Sequence, residues 1–159
     1  PQETAIAPNL TVKENLEFMA GVYQISNKEK KIDELIKQFK LEEILNKRTK
    51  TLSGGWQRRL SIAISLINNP KILFLDEPTL GLDVIARKEL WKVINELKGK
   101  ITIILTTHYM EEAESLSDRI GIMANGKLVD VGTSEDLIKK TKTNNFEDAF
   151  VSIATGGEL

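Results

Sequence analysis

Three observations predict an α/β fold, a parallel sheet with crossover helices and an attached helical subdomain. Two short apolar runs, Ile72-Leu73-Phe74-Leu75 and residues 101–105 broken only by Thr102, have the length of strands buried on both faces of a parallel sheet. Between them Leu90, Val93, Ile94 and Leu97 repeat at helical spacing, which supplies the crossover that a parallel pair requires. The opening third of the chain carries helix patterns alone.

The elements follow in order. Thr11-Val12-Lys13-Glu14 has the form of a capping box, and Leu16, Met19, Ala20 and Tyr23 continue it as one helical stripe. Ile32, Leu35, Ile36 and Phe39 predict a second helix, opposed by lysines and glutamates. Leu41, Ile44 and Leu45 predict a short third. A Ser53-Gly54-Gly55 turn opens a helix through Leu60, Ala63, Ile64 and Ile67, ended by Asn68-Asn69-Pro70. Asp83 caps the crossover helix and Gly99 stops it. A short acidic helix is expected near residues 111–116. Segments 119–123 and 127–131 flank Asn125-Gly126, a strong hairpin turn. Thr133 or Ser134 caps one more helix, and residues 146–153 form a last one before Gly156.

With 159 residues and 41% apolar content, the chain has enough material for one core. A formal charge of -1 gives no basic field for nucleic acid, and no nucleic-acid partner is expected. There is no cysteine, which excludes disulfides, thiolate metal sites and a cysteine nucleophile. No apolar run approaches the roughly 18 residues needed to span a bilayer.

The most specific string is Ile72-Leu73-Phe74-Leu75-Asp76-Glu77-Pro78-Thr79. Open α/β sheets bind ligands at the C-terminal ends of their strands. A hard carboxylate there suits Mg²⁺, and a second can deprotonate water. Alone, the string reads equally well as a solvated acidic turn. Upstream stands Leu52-Ser53-Gly54-Gly55-Trp56-Gln57, at the start of a helix. Its glycines permit close approach to an anion, Ser53 offers a hydroxyl, and the helix N-terminus presents free amides. Glycine costs about 1 kcal/mol per residue in a helix, a poor choice for capping alone.

Together these motifs resemble the ATP-binding domain of ABC transporters. Residues 52–57 resemble the ABC signature motif, Asp76 and Glu77 the Walker B aspartate and catalytic glutamate, and Leu80-Gly81-Leu82-Asp83 the D-loop. Thr107-His108 is similar to the switch histidine, and Gln2 to the glutamine loop. The resemblance implies a P-loop NTPase-like sheet lacking its N-terminal strands, with ATP and Mg²⁺ as cofactors. It implies that Asp76 and Gln2 attend the metal, that Glu77 polarises the attacking water, and that His108 contacts the γ-phosphate. Ser53, Gly54 and Gly55 are implied to touch nucleotide bound on a partner protomer, since such domains act as head-to-tail dimers. Asp83 is implied to line that dimer seam, although a helix cap is its sufficient structural role. The expected division is 1–70 for the glutamine loop and helical signature subdomain, 71–132 for the Walker B part with its hairpin, and 133–159 for the C-terminal helices.

Two departures stand out. Trp56 occupies a position where the family often has glutamine. The phosphate-loop pattern G-x-x-x-x-G-K-[ST] is absent; its near miss at 121–128 ends in Leu128 and reads as a hairpin. Since the chain opens at the glutamine loop without methionine, an excised piece of a longer domain is expected, inactive alone. Met110-Glu111-Glu112-Ala113-Glu114, Ser117-Asp118-Arg119-Ile120, Gly126-Lys127-Leu128-Val129 and Gly132-Thr133 resemble exporter-type subunits of the drug, sodium and polysaccharide class, and Phe146-Glu147-Asp148-Ala149-Phe150 is similar to their terminal helix. That implies a membrane permease partner, a homodimer or heterodimer of ATPase domains, and a place at the cytoplasmic face of the membrane. A non-catalytic module that docks a permease or dimerises, and a soluble translation-linked ABC protein, remain as alternatives. Chromosome-maintenance ATPases insert a long coiled coil between the glutamine loop and the signature, and this chain shows no sustained heptads there.

Overall fold

The computed structural model describes residues 6–156, in two compact units that meet in sequence between Thr106 and Thr107. In the first unit, α1 (Val12–Val22) starts on the expected capping box. The Thr11 hydroxyl accepts from the Glu14 amide at 3.2 Å, and the Thr11 amide donates to the Glu14 carboxylate at 2.7 Å. Val12, Leu16 and Ala20 are buried. Tyr23 falls outside the expected stripe: it is the exposed C-cap. Asn15 is buried beside Leu16 instead, because its amide exchanges hydrogen bonds with both backbone groups of Ala7.

Helix α2 (Lys28–Phe39) buries Ile32, Leu35, Ile36 and Phe39, the whole predicted stripe. The third predicted helix is a single 3₁₀ turn, Glu42–Ile44, anchored by buried Leu41 and Ile44. Then come α3 (Gly54–Ser65), β1 (Ile72–Asp76), α4 (Val84–Leu97) and β2 (Thr102–Thr106). Strands β1 and β2 pair in parallel, with Ile72 opposite Thr102 and Asp76 opposite Thr106.

The expectation that both strands are buried on two faces does not hold. Leu73 and Leu75 are buried, but Ile72 is 50% exposed, Phe74 66% and Ile104 46%. Among the described residues these strands make a two-stranded sheet, and one of its faces is open. The alternation of side chains across the strand then leaves every second residue in water.

The second unit contains α5 (Met110–Leu116), β3 (Ile120–Ala124), β4 (Lys127–Gly132), α6 (Ser134–Thr141) and α7 (Phe146–Thr155). Strands β3 and β4 are antiparallel, and Asn125 (φ 50°) and Gly126 (φ 73°) make their turn with both residues left-handed. Residues 121–128 are therefore a hairpin and lead into no phosphate loop. Thr133 and Asp136 form a second capping box. Ala113, Ile120, Ile122, Leu137 and Phe146 make the core of this unit, with Met110, Ile138, Phe150 and Ile153 packed around it.

Candidate functional site

Strand β1 delivers Asp76 at its C-terminal end, and the register sets Thr106 directly across from it. The Thr106 hydroxyl donates to Asp76 Oδ1. Beyond Asp76 the backbone turns at Glu77, which lies at φ 43°, in the left-handed region. That conformation costs a non-glycine residue about 1–3 kcal/mol and persists only where its surroundings impose it. Here the Glu77 amide donates to the Thr106 carbonyl at 3.0 Å and, more weakly, to Thr106 Oγ1 at 3.3 Å. The two residues thus leave the strand in a fixed relation, the Asp76 carboxylate and the Glu77 amide both tied to one residue of the neighbouring strand.

The chain then returns through two tight turns. The Leu80 amide donates to the Glu77 carbonyl and the Leu82 amide to the Thr79 carbonyl, each at 3.1 Å. Gly81 at φ 76° supplies the conformation this requires. Asp83 is the N-cap of α4, accepting from the Ile85 and Ala86 amides at 2.9 Å. Its capping role is therefore realised in the structure.

Ser53 occupies the N-cap position of α3 with extended backbone, yet its side chain makes no capping hydrogen bond. The hydroxyl is not consumed by the helix it precedes, contrary to a plain capping role. Gly54 and Gly55 form the first turn of α3. A Cβ on Gly55 would lie 3.0 Å from the Ala86 Cβ, and one on Gly54 3.5 Å from Leu82. Close packing of α3 on α4 is thus a sufficient reason for glycine at 55, one the sequence did not reveal. Gln57 buttresses the turn before the helix, donating to the Leu52 carbonyl at 3.0 Å and to that of Thr49 at 3.2 Å.

The sequence assigns no role to the two arginines that follow Gln57. Arg59, only 7% exposed, donates to Glu89 of α4 at 2.8 Å, and its guanidinium lies 4.4 Å above the Trp56 ring. Trp56 thus gains a partner at the position where glutamine is frequent in the family. Arg58 lies with Ser61, Ile62 and Ser65 against Phe74, Leu75, Asp76 and Pro78. Burial pushes its pKa down, while the charge of Asp76 opposes that shift. A basic residue of α3 therefore sits within electrostatic reach of the strand-end carboxylate.

The structure brings Asp76 and Glu77 together around Thr106, and Ser53, Gly54 and Gly55 beside the start of α4. His108 belongs to the second unit; it is exposed, and its ring centroid lies 4.2 Å from that of Tyr109. Gln2 lies outside the described residues.

The donor set at the end of β1 fits Mg²⁺. That ion is usually held by one or two carboxylates together with waters and substrate phosphates, not by an all-protein cage. With Oδ1 of Asp76 engaged by Thr106, Oδ2 is the hard oxygen left for a metal.

A family profile described as "ABC transporter" matches residues 1–80. The chain is 46% identical over 136 residues to ABC transporter A family member 2 of Arabidopsis thaliana, covering 84% of this chain and 14% of that protein. It is 43% identical over 142 residues to the phospholipid-transporting ATPase ABCA3 of Homo sapiens, covering 88% of this chain and 8% of that protein. Against the probable multidrug ABC transporter ATP-binding protein YbhF of Escherichia coli, identity is 39% over 160 residues, covering 96% and 28%. The chain therefore spans less than a third of the length of these relatives. A solved structure described as the ATP binding subunit of an ABC transporter superposes with a TM-score of 0.79 at 28% identity, covering 96% of this chain and 66% of that one. The α/β fold with its parallel sheet is the fold of that subunit. On the match of residues 1–80, reinforced by these relatives, the chain belongs to the ABC transporter family, within its ATP-binding domain.

Proposed function

We propose that this chain is the catalytic part of an ATPase subunit that powers export through an ABC transporter. The observation that carries the reading is the Asp76-Glu77 pair at the end of a parallel strand, with Glu77 held left-handed by Thr106. Phosphoryl transfer asks little covalent chemistry of a protein; it asks for positioning and charge stabilisation. Asp76 holds the metal. Glu77, on the next residue and turned out of the strand, accepts the proton of the attacking water. Mg²⁺, when bound with ATP, supplies neutralisation of the charge that develops on the phosphate oxygens.

Ser53 and the first-turn amides of α3 contact the γ-phosphate of nucleotide on a second ATPase domain. The hydroxyl that makes no capping bond supports this role. Asp83 lines the same seam, and the family resemblance gives His108 a role toward the γ-phosphate and Gln2 one toward the metal. By function the chain divides into 1–70, 71–132 and 133–159, a division distinct from the two compact units that part after Thr106. The partners are a membrane permease and a homodimeric or heterodimeric second ATPase domain, at the cytoplasmic face of a membrane. Among the described residues no helix is long and apolar enough to cross a membrane. Export as the direction rests on the resemblance of the acidic helix and the hairpin to exporter-type subunits; the relatives are named for phospholipid and multidrug transport.

The test is phosphate release from ATP by the full-length protein, with and without Mg²⁺. Hydrolysis that requires Mg²⁺ supports the reading, and its absence under conditions where the protein binds ATP contradicts it. The 159-residue chain alone, without a G-x-x-x-x-G-K-[ST] segment, is expected to show no turnover.

A further inference from the structure

We propose that Thr106 is a positioning residue for the Asp76-Glu77 pair, setting the orientation of the first carboxylate and the backbone conformation of the second. The proposal rests on the reading of that pair given above. Three contacts converge on this one residue. Its hydroxyl donates to Asp76 Oδ1, its carbonyl accepts the Glu77 amide at 3.0 Å, and its Oγ1 accepts the same amide at 3.3 Å. A threonine hydroxyl has one proton and two lone pairs, so it can donate to Asp76 and accept from Glu77 at once.

The geometry separates this from an ordinary strand-end threonine. Asp76 and Thr106 are the last register pair of β1 and β2, so their side chains lie on the same face of the sheet and meet where the ladder ends. A valine there would preserve shape and strand preference but leave Asp76 Oδ1 without its donor. It would also reduce the Glu77 amide to a single acceptor. Glu77 is the residue at which the strain is stored, so a weaker hold on its amide lets the backbone relax away from φ 43°. Groups that orient a metal-binding carboxylate typically matter about 10- to 100-fold to affinity or rate.

The decisive comparison is Thr106→Val against Thr106→Ser in the full-length protein, with Glu77→Gln as the reference for the site itself. Thr106→Val is expected to lower kcat about 10- to 100-fold with KM for ATP unchanged, and Thr106→Ser to recover most of that loss. A readout independent of turnover is Mn²⁺ affinity, followed by electron paramagnetic resonance on the ATP-loaded protein in the Glu77→Gln background. Adding Thr106→Val there is expected to weaken Mn²⁺ binding about tenfold, and adding Thr106→Ser is not. Should the valine protein fail to fold, Thr106→Ser against Thr106→Ala decides the same question. Valine equal to wild type in both readouts, or valine and serine equally impaired, overturns the proposal while leaving the site in place. Wild-type turnover by Glu77→Gln overturns the reading of the site, and this inference with it.

Discussion

Arg59 shows how much a single buried charge can organise. It is packed against the Trp56 ring and reaches Glu89 on the next helix, joining the start of α3 to α4. Because the Glu89 side chain is half exposed, solvent screens the pair, and Glu89→Ala is expected to lower stability by about 1 kcal/mol. Arg59→Met, which keeps length and removes the charge, should cost less than Arg59→Ala, since part of the contribution is packing. Urea denaturation of the three variants checks this order; equal losses for Met and Ala would contradict it. Neither this pair nor Thr106 was legible in the sequence. Asp76, Glu77 and Ser53 were, because adjacent carboxylates after an apolar run and a hydroxyl before two glycines are local patterns. Thr106 acquires meaning only once the register places it opposite Asp76, and Arg59 only once α4 packs against α3.

The elements were legible wherever their signals are local. The Thr11 capping box, the Thr133 and Asp83 caps and the Asn125-Gly126 hairpin stand where the residues put them. The 3₁₀ turn at Glu42–Ile44 and the exposed Tyr23 departed from expectation, because short helical stripes do not reveal where packing ends. Two predictions belong to this scale. Gly55→Ala places a Cβ 3.0 Å from that of Ala86 and is expected to cost about 1–3 kcal/mol, with Ala86→Gly restoring most of it. Additive losses in a thermal-melting double-mutant cycle would show that the two positions do not meet.

The second prediction concerns the caps. Hydrogen bonds from the Thr11 backbone and side chain hold Glu14 below its ordinary 4.5, and those from the Thr133 side chain and backbone hold Asp136 below 3.8. A carboxylate with a depressed folded pKa stabilises the fold above its unfolded pKa. That contribution is lost as pH falls through the folded value. Glu14→Gln and Asp136→Asn should therefore flatten the fall in melting temperature below pH 4.5, and a profile parallel to wild type would contradict this.

At the scale of the whole molecule, the α/β class was legible and the burial of the sheet was not. Continuous apolar strands predict cover on both faces, but Ile72, Phe74 and Ile104 stand open. Phe74→Ala is thus expected to change the stability of this chain by no more than about 0.5 kcal/mol, as at a surface site. In the full-length protein, where such a run calls for cover, the same change is expected to cost about 3 kcal/mol or more. Equal effects in the two, measured by denaturation, would show that the open face is native.

The central claim, that the Asp76-Glu77 pair performs phosphoryl transfer, is tested most directly by ATP hydrolysis in the full-length Glu77→Gln protein. The substitution keeps size and removes the base, so kcat is expected to fall by at least about 100-fold while ATP remains bound. Glu77→Gln turning over ATP at the wild-type rate would contradict the account.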